Sequence, residues 1–130
     1  MVETGAEFRE GVVKFRTEAD PEVSRISDSL IAKLVEKPNE WRAKLREAGL
    51  IGQDNKGVGY GNIAIRIPPE HISGRLAGLE FLVTATQTGG SEKLDLSDWV
   101  HVTKCFPEQN LVYTAVPIGT WKRPSSETMT

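Results

Sequence analysis

The chain has 130 residues, with 16 Lys and Arg side chains against 18 Asp and Glu, and a formal net charge of −2. This length fits a single domain, and the balanced charge argues against nucleic acid as a partner. No apolar run approaches the roughly 20 residues of a transmembrane helix, and the N-terminus lacks the basic and apolar regions of a signal peptide. Cys105 is the only cysteine, which excludes an intrachain disulfide and favours a reducing, cytoplasmic setting.

Residues 1–19 are predicted to form an N-terminal arm or an edge strand, because residues 11–16 alternate only weakly between apolar and polar types. A first helix is predicted to begin at Asp20. The Asp20 side chain suits the cap, Pro21 suits the first helical position, and Glu22 suits the positive end of the helix dipole. Apolar residues then recur at helical spacing, at Val23, Ile26, Leu30, Ile31 and Leu34.

A second helix is predicted to follow Pro38, which interrupts the pattern of the first. Asn39 is the predicted N-cap, residues 40–48 form the helix, and Gly49 ends it in the left-handed conformation that glycine adopts readily. Residues 1–50 are therefore predicted to contain an arm and two helices. We expect this part of the chain to be scaffolding.

The second part of the chain has the pattern of an antiparallel sheet. Gly57, Gly59 and Gly61 precede Asn62, and apolar residues then alternate with polar ones in a half-buried strand that Pro68 ends. Short turns separate the strands, and strands joined in this way are usually antiparallel neighbours. Helices followed by such strands predict an α+β domain. The predicted strands are 63–67, 81–85, 100–106 and 111–116, with a single helical turn at 94–99.

Three segments combine glycine, amide or hydroxyl groups in a way that suits an anion. The glycine run brings the backbone close to a ligand with the Asn62 amide as donor, although a flexible turn is an equally good interpretation. Thr88 and Gly89 offer a hydroxyl and a backbone amide after a strand, a combination that ordinary turns share. Ser125 and Ser126 offer two hydroxyls at a predicted helix N-terminus. Together these segments predict an anion-binding domain.

Metal and nucleophile sites find little support among the remaining residues. His71 lies in a loop and His101 on the polar face of a strand, so both are expected to be surface or hydrogen-bonded histidines. Cys105 lies in an apolar strand and is expected to be an inert core thiol. The tryptophans are too scattered for a base-stacking platform and are expected to anchor a core or an interface: Trp41, Trp99 and Trp121.

Four motifs resemble those of the class II aldolase/adducin family and occur in the family's order. Residues 61–66, Gly-Asn-Ile-Ala-Ile-Arg, resemble its glycine-asparagine strand, and residues 81–89 resemble the strand and threonine-glycine turn that follow. Residues 94–100 are similar to its short helical turn, and residues 123–127, Arg-Pro-Ser-Ser-Glu, to its serine-serine-glutamate motif. The ordered set covers residues 40–130, whereas the preceding residues match nothing specific.

The resemblance implies a three-layer α/β/α sandwich with a central, mainly antiparallel sheet over residues 20–130, usually assembled as a homotetramer. In the family's sugar-phosphate enzymes a divalent metal, commonly zinc, polarises the substrate carbonyl and stabilises an enediolate. The position matched by Glu127 serves proton transfer near that metal. The substrate phosphate binds at the positions matched here by Asn62, Thr88, Gly89, Ser125 and Ser126.

The chain departs from the family pattern at the metal ligands. Family enzymes carry a His-x-His pair beyond the glutamate, whereas this sequence stops at Thr130, and neither His71 nor His101 matches a ligand position. We therefore expect a truncated domain that binds no zinc alone. The leading interpretation is a homo-oligomeric, metal-dependent lyase or epimerase that, when complete, acts on a small phosphorylated or carboxylated sugar. The alternatives are a non-catalytic, adducin-like interaction domain and an unrelated anion-binding domain.

Overall fold

A computed structural model describes residues 15–72, 80–116 and 124 of the chain. These residues form a mixed α/β fold with a five-stranded sheet, a two-stranded ribbon, two α-helices and short 3₁₀ turns. Neither α-helix of this part has the length and apolar character needed to cross a membrane. The strands are β1 (Arg16–Ser24), β2 (Gly52–Gln53), β3 (Gly59–Tyr60), β4 (Ala64–Arg66), β5 (Phe81–Thr84), β6 (Trp99–Phe106) and β7 (Leu111–Val116), and the helices are α1 (Asp28–Leu34) and α2 (Glu36–Glu47).

The five-stranded sheet has the order β1-β7-β6-β5-β4. Strands β4 to β7 pair antiparallel with their neighbours, and β1 pairs parallel to β7 at the end of that order. The prediction of a mainly antiparallel sheet combined with two helices is therefore confirmed. β2 and β3 form the separate ribbon, which is also antiparallel.

The predicted helix start at Asp20 is wrong, because this segment belongs to β1. The Asp20 carboxylate accepts the Glu22 N–H at 3.0 Å, as a cap would accept a nearby N–H, but its other partners lie in β6. It accepts the Thr103 hydroxyl at 2.7 Å and Lys104 Nζ at 3.0 Å. These contacts and the pairing with β7 hold the segment extended and outweigh its local helix preference. The predicted boundary after residue 19 falls inside this strand.

Helix α1 begins at Asp28, eight positions after the predicted start. Ser27 is its N-cap, and the Ser27 hydroxyl accepts the Leu30 N–H at 3.2 Å. Ile31 is the residue of α1 that is fully buried, and Val35 packs beside it at the end of the helix. The predicted apolar spacing therefore included the buried Ile31 and the partly buried Leu34, whereas Val23 and Ile26 precede the helix.

Helix α2 follows α1 at Val35, so the break predicted at Pro38 is misplaced. Pro38 lies in the first turn of α2, where its missing N–H costs no intrahelical hydrogen bond. Asn39, the predicted cap, is inside the helix and donates its N–H to Val35 O. The predicted end is confirmed, since Gly49 has a φ of +80° and its N–H donates to Arg46 O.

The sheet is apolar on both faces. Leu82 and Val83, neighbours in β5, belong to two different buried clusters, because successive side chains of a strand point to opposite faces. Ile31 of α1 and the fully buried Trp99 pack in the cluster of Leu82. Phe15 packs in the cluster of Val83. Helix α1 thus covers one of the two apolar faces.

Candidate anion-binding site

Two of the predicted anion-binding segments lie side by side at one end of the sheet. Ile63, directly after Asn62, exchanges two hydrogen bonds with Thr84 at the end of β5. The Thr84 N–H donates to Ile63 O at 3.1 Å, and the Ile63 N–H donates to Thr84 Oγ1 at 3.3 Å. Thr88 and Gly89 lie in the turn that follows β5. The structure therefore brings the segments that carry Asn62, Thr88 and Gly89 to the same end of the sheet.

The β2–β3 ribbon packs against the turn after β5. Gln87 adopts a φ of +63°, and its side-chain Oε1 accepts the Gly59 N–H at 2.8 Å. Gly89 lies so close to the ribbon that a Cβ there would meet the backbone oxygens of Gly52 and Tyr60, the latter at 2.5 Å. Only glycine permits this approach, so Gly89 is required by the packing of the turn as well as suited to an anion.

The donors that this turn offers are backbone amides. The Thr88 hydroxyl is buried and donates to Ala85 O at 2.9 Å, so its proton is already used within the turn. The Gly89 and Gly90 N–H groups donate to no acceptor in the part of the chain that the structure describes. Asn62 is half-buried, and its side chain is likewise without a hydrogen bond to the described residues. These groups are therefore the candidate donors of the site.

Arg42 of α2 holds the turn from the side of the helix, and sequence reasoning missed it. Its side chain is buried, and Nη2 donates to Thr88 O at 2.6 Å and to Ser91 O at 2.8 Å. Nη1 donates to Glu92 O at 3.4 Å. Its neighbour Trp41, expected to anchor a core or an interface, is 57% exposed and therefore does not anchor the core. The one available clue was that an arginine four residues later shares the same helix face.

That second arginine, Arg46, extends the same contact. Its Nε donates to Gly89 O and its Nη2 to Gly90 O, both at 3.3 Å. Burial lowers the pKa of Arg42, and the nearby Arg46 charge lowers it further, while the Asp98 carboxylate acts in the opposite direction. A guanidinium remains protonated in proteins despite such shifts. The turn therefore has two positive charges directly behind it.

The third predicted segment lies next to Pro124, which the structure does describe. Pro124 is fully buried and forms an antiparallel bridge with Ala85, at the end of β5. Ser125 is the next residue in the sequence. Ser126 and Glu127 follow in the sequence. All three of these residues lie outside the described part of the chain, so their predicted roles stay predictions.

The histidines are placed differently from each other. His101 was expected on the polar face of its strand but is completely buried. Its Nδ1 accepts the Ile26 N–H at 3.4 Å, so Nε2 carries the proton and donates to Glu80 Oε1 at 2.7 Å. His71 is exposed, and its Nε2 lies 4.0 Å from Glu70 Oε2. His101 is thus a hydrogen-bonded histidine with both ring nitrogens engaged.

The described residues do not fit a metal ion. Among residues 15–72, 80–116 and 124, no three His, Cys, Asp or Glu side chains are grouped so as to hold one. Cys105 is partly buried, and desolvation raises the pKa of its thiol, which disfavours the reactive thiolate. Neither finding bears on ligands that the remaining residues supply.

Comparisons with family models, curated proteins and solved structures returned no match to this chain. The likeness to the class II aldolase/adducin family is therefore carried by the residues of the four motifs. The site described above rests on the geometry of this chain alone.

Proposed function

We propose that the chain belongs to a class II aldolase/adducin-type domain that binds a small phosphorylated or carboxylated sugar at the end of β5. The observation that supports this most is that three separate motifs meet there. Asn62, Gly89 and Pro124 are far apart in sequence, yet the segments that carry them all contact residues 84–89 or lie within them. Such convergence is what an anion site built from these motifs requires.

The chemistry of the gathered groups suits an anion with several oxygens. The Gly89 and Gly90 amides and the Asn62 side-chain amide are neutral donors, and hydrogen bonds to a charged acceptor are stronger than those between neutral groups. Oriented backbone amides of this kind form anion-binding concavities in many phosphate sites. In our proposal Ser125 and Ser126 add hydroxyl donors to the same anion.

The three-layer arrangement and the catalytic part of the family's chemistry belong to the same proposal. The sheet has an apolar face on each side, and this favours an arrangement in which a layer of other elements covers each face. In the complete family domain zinc supplies Lewis-acid chemistry and Glu127 transfers a proton, but the described residues provide no ligand set, so we derive no metal-dependent step. A cytoplasmic, homo-oligomeric assembly completes the proposal.

The Asn62→Ala variant tests the site directly. We expect it to weaken binding of inorganic phosphate about tenfold, because it removes one charge-assisted hydrogen bond. Binding is measured by NMR titration that follows the Gly89 and Gly90 amide signals. Asn55→Ala is the matched control, since Asn55 is an exposed asparagine at the tip of the β2–β3 ribbon and should have no effect. Equal phosphate affinity of the wild-type and Asn62→Ala proteins would contradict the proposed site.

A turnover assay distinguishes the catalytic interpretation from the non-catalytic one. Sugar-phosphate turnover by the full-length protein, abolished in a Glu127→Ala variant that keeps its fold, supports the metal-dependent lyase or epimerase. Phosphate binding without turnover supports the non-catalytic alternative.

A further inference from the structure

We propose that Arg42 and Arg46 set the anion affinity of the turn after β5 without touching the anion. This inference rests on the proposed function, because it takes the Gly89 and Gly90 amides as the donors. The two arginines then act from behind the turn, through the carbonyl groups of its peptide bonds. They are positioning residues and also the source of the site's positive charge.

The orientation of the amides follows from the arginine contacts. A trans peptide unit is planar and points its N–H opposite to its C=O. Arg42 binds Thr88 O at 2.6 Å, so the Gly89 N–H of that peptide points away from the guanidinium. Arg46 binds Gly89 O at 3.3 Å and directs the Gly90 N–H in the same manner. Because the arginines bind the carbonyl groups, both N–H groups point away from the guanidinium groups, in the direction from which a ligand would bind.

One of the two amides lies beside a glycine of the ribbon. At Gly59 of the ribbon, a Cβ would lie 3.2 Å from Gly89 N. Gly89 itself is buried, and buried backbone N–H groups are nearly always paired in native proteins. Within the described residues this N–H has no acceptor. A bound anion oxygen would satisfy it.

The charge of Arg42 gives the strongest reason to expect an anion. Arg42 is only 3% exposed, and the three hydrogen bonds of its guanidinium all go to backbone carbonyls. A buried charge is normally paired, because desolvating it is costly. These carbonyls solvate the guanidinium, and the Asp98 carboxylate offsets part of its charge. An anion on the other side of the turn would offset the charge further, and polarisation of the intervening peptides strengthens their N–H donors.

The experiment compares phosphate binding by three variants of the full chain. Arg42→Gln is expected to weaken phosphate binding about tenfold or more, because charge and carbonyl contacts are both lost. Arg42→Lys keeps the charge but cannot reach all three carbonyls, so its affinity should lie between those of wild type and Arg42→Gln. Lys37→Gln is the control, since Lys37 is an exposed cation of the same helix with the same charge change. It should bind as the wild type does.

The outcomes separate this inference from the proposal on which it rests. Circular dichroism establishes that each variant is folded, and Arg46→Gln is measured alongside the three variants, so that one arginine variant remains informative if Arg42→Gln does not fold. Weaker binding by the folded arginine variants, with partial recovery in Arg42→Lys, supports the inference. Wild-type affinity in folded Arg42→Gln and Arg46→Gln proteins would overturn it while leaving the anion site intact. No phosphate binding by the wild-type chain would overturn the proposed function itself.

Discussion

The buried Asp20 carboxylate joins the edge strand β1 to β6 across the intervening β7. Burial raises the pKa of Asp20, but hydrogen bonds from Thr103, Lys104 and the Glu22 amide outweigh this effect and hold the pKa below its ordinary value. The hydrogen bond to Asp20 in turn raises the pKa of Lys104. The ionised form of the carboxylate is thus the one that stabilises the fold.

We expect Asp20→Asn to lower the free energy of unfolding at pH 7 by about 1–3 kcal/mol, since it removes a charged acceptor that two side chains share. A carboxylate with a depressed pKa contributes stability above its unfolded value of about 3.9 and loses it as the pH falls through the folded pKa. The difference between wild type and variant should therefore be constant near neutrality and shrink below about pH 4. Urea denaturation across this pH range measures it.

Glu18→Gln is the control for this prediction. Glu18 lies in the same strand, but it is exposed and paired with the exposed Arg16 at 3.0 Å. Exposed pairs contribute little, so the control should change stability by less than about 1 kcal/mol at any pH. A deficit of Asp20→Asn that is the same at pH 3 and pH 7 would show that shape, rather than charge, is responsible.

The start of α1 depends on one local contact. Ser27 accepts the Leu30 N–H, and without this cap the first N–H groups of the helix have only water as partner. The helix has only seven residues, so each contact at its end matters for its stability. Its burial of Ile31 against the sheet supplies the remaining stabilisation.

Ser27→Ala is expected to destabilise the protein by about 1 kcal/mol, the typical cost of removing a serine N-cap. Ser27→Asp is the matched comparison, because aspartate also caps and its charge suits the helix N-terminus. Chemical denaturation should therefore give near wild-type stability for Ser27→Asp. An equal loss in both variants would mean that the cap is not what the serine contributes.

Helix α2 docks in an unusual way, through a charged side chain. Trp41 points to solvent with Lys44 Nζ at 4.9 Å from its ring, while Arg42 is buried against the turn after β5. Hydrogen bonds to carbonyl oxygens have preferred directions, whereas the hydrophobic effect has none. The position of α2 and the conformation of the turn are therefore tied to each other by hydrogen-bond geometry.

The whole chain is expected to associate, as its resemblance to the class II aldolase/adducin family implies. The sheet has two apolar faces, and α1 covers one of them. We predict a homotetramer, with a mass about four times the 14.3 kDa of the chain in size-exclusion chromatography with light scattering. Dilution serves as the control for concentration-dependent aggregation. A monomer at all concentrations would contradict this prediction.

The local pattern of apolar and polar residues was sufficient to predict strands β5, β6 and β7. The alternating or apolar runs lie within one residue of the observed strands, and the short turn between the last two predicted strands contains Asn110 in the left-handed conformation. The Gly49 helix end was predictable for the same reason. In each case neighbouring residues determine the backbone, through side-chain alternation or through a conformation that few residue types adopt.

Contacts between distant residues decided the rest. Asp20 has the local features of a helix cap, yet partners more than 80 positions away hold it in a strand. Arg42 has the features of an exposed helix residue, yet carbonyl groups 46 to 50 positions away surround it. Short-range spacing carries no information about such partners. The residue types of the proposed anion site were therefore visible in the sequence, whereas the proximity of their segments at one end of the sheet, and the arginines that bind the turn there, emerged only from the folded chain.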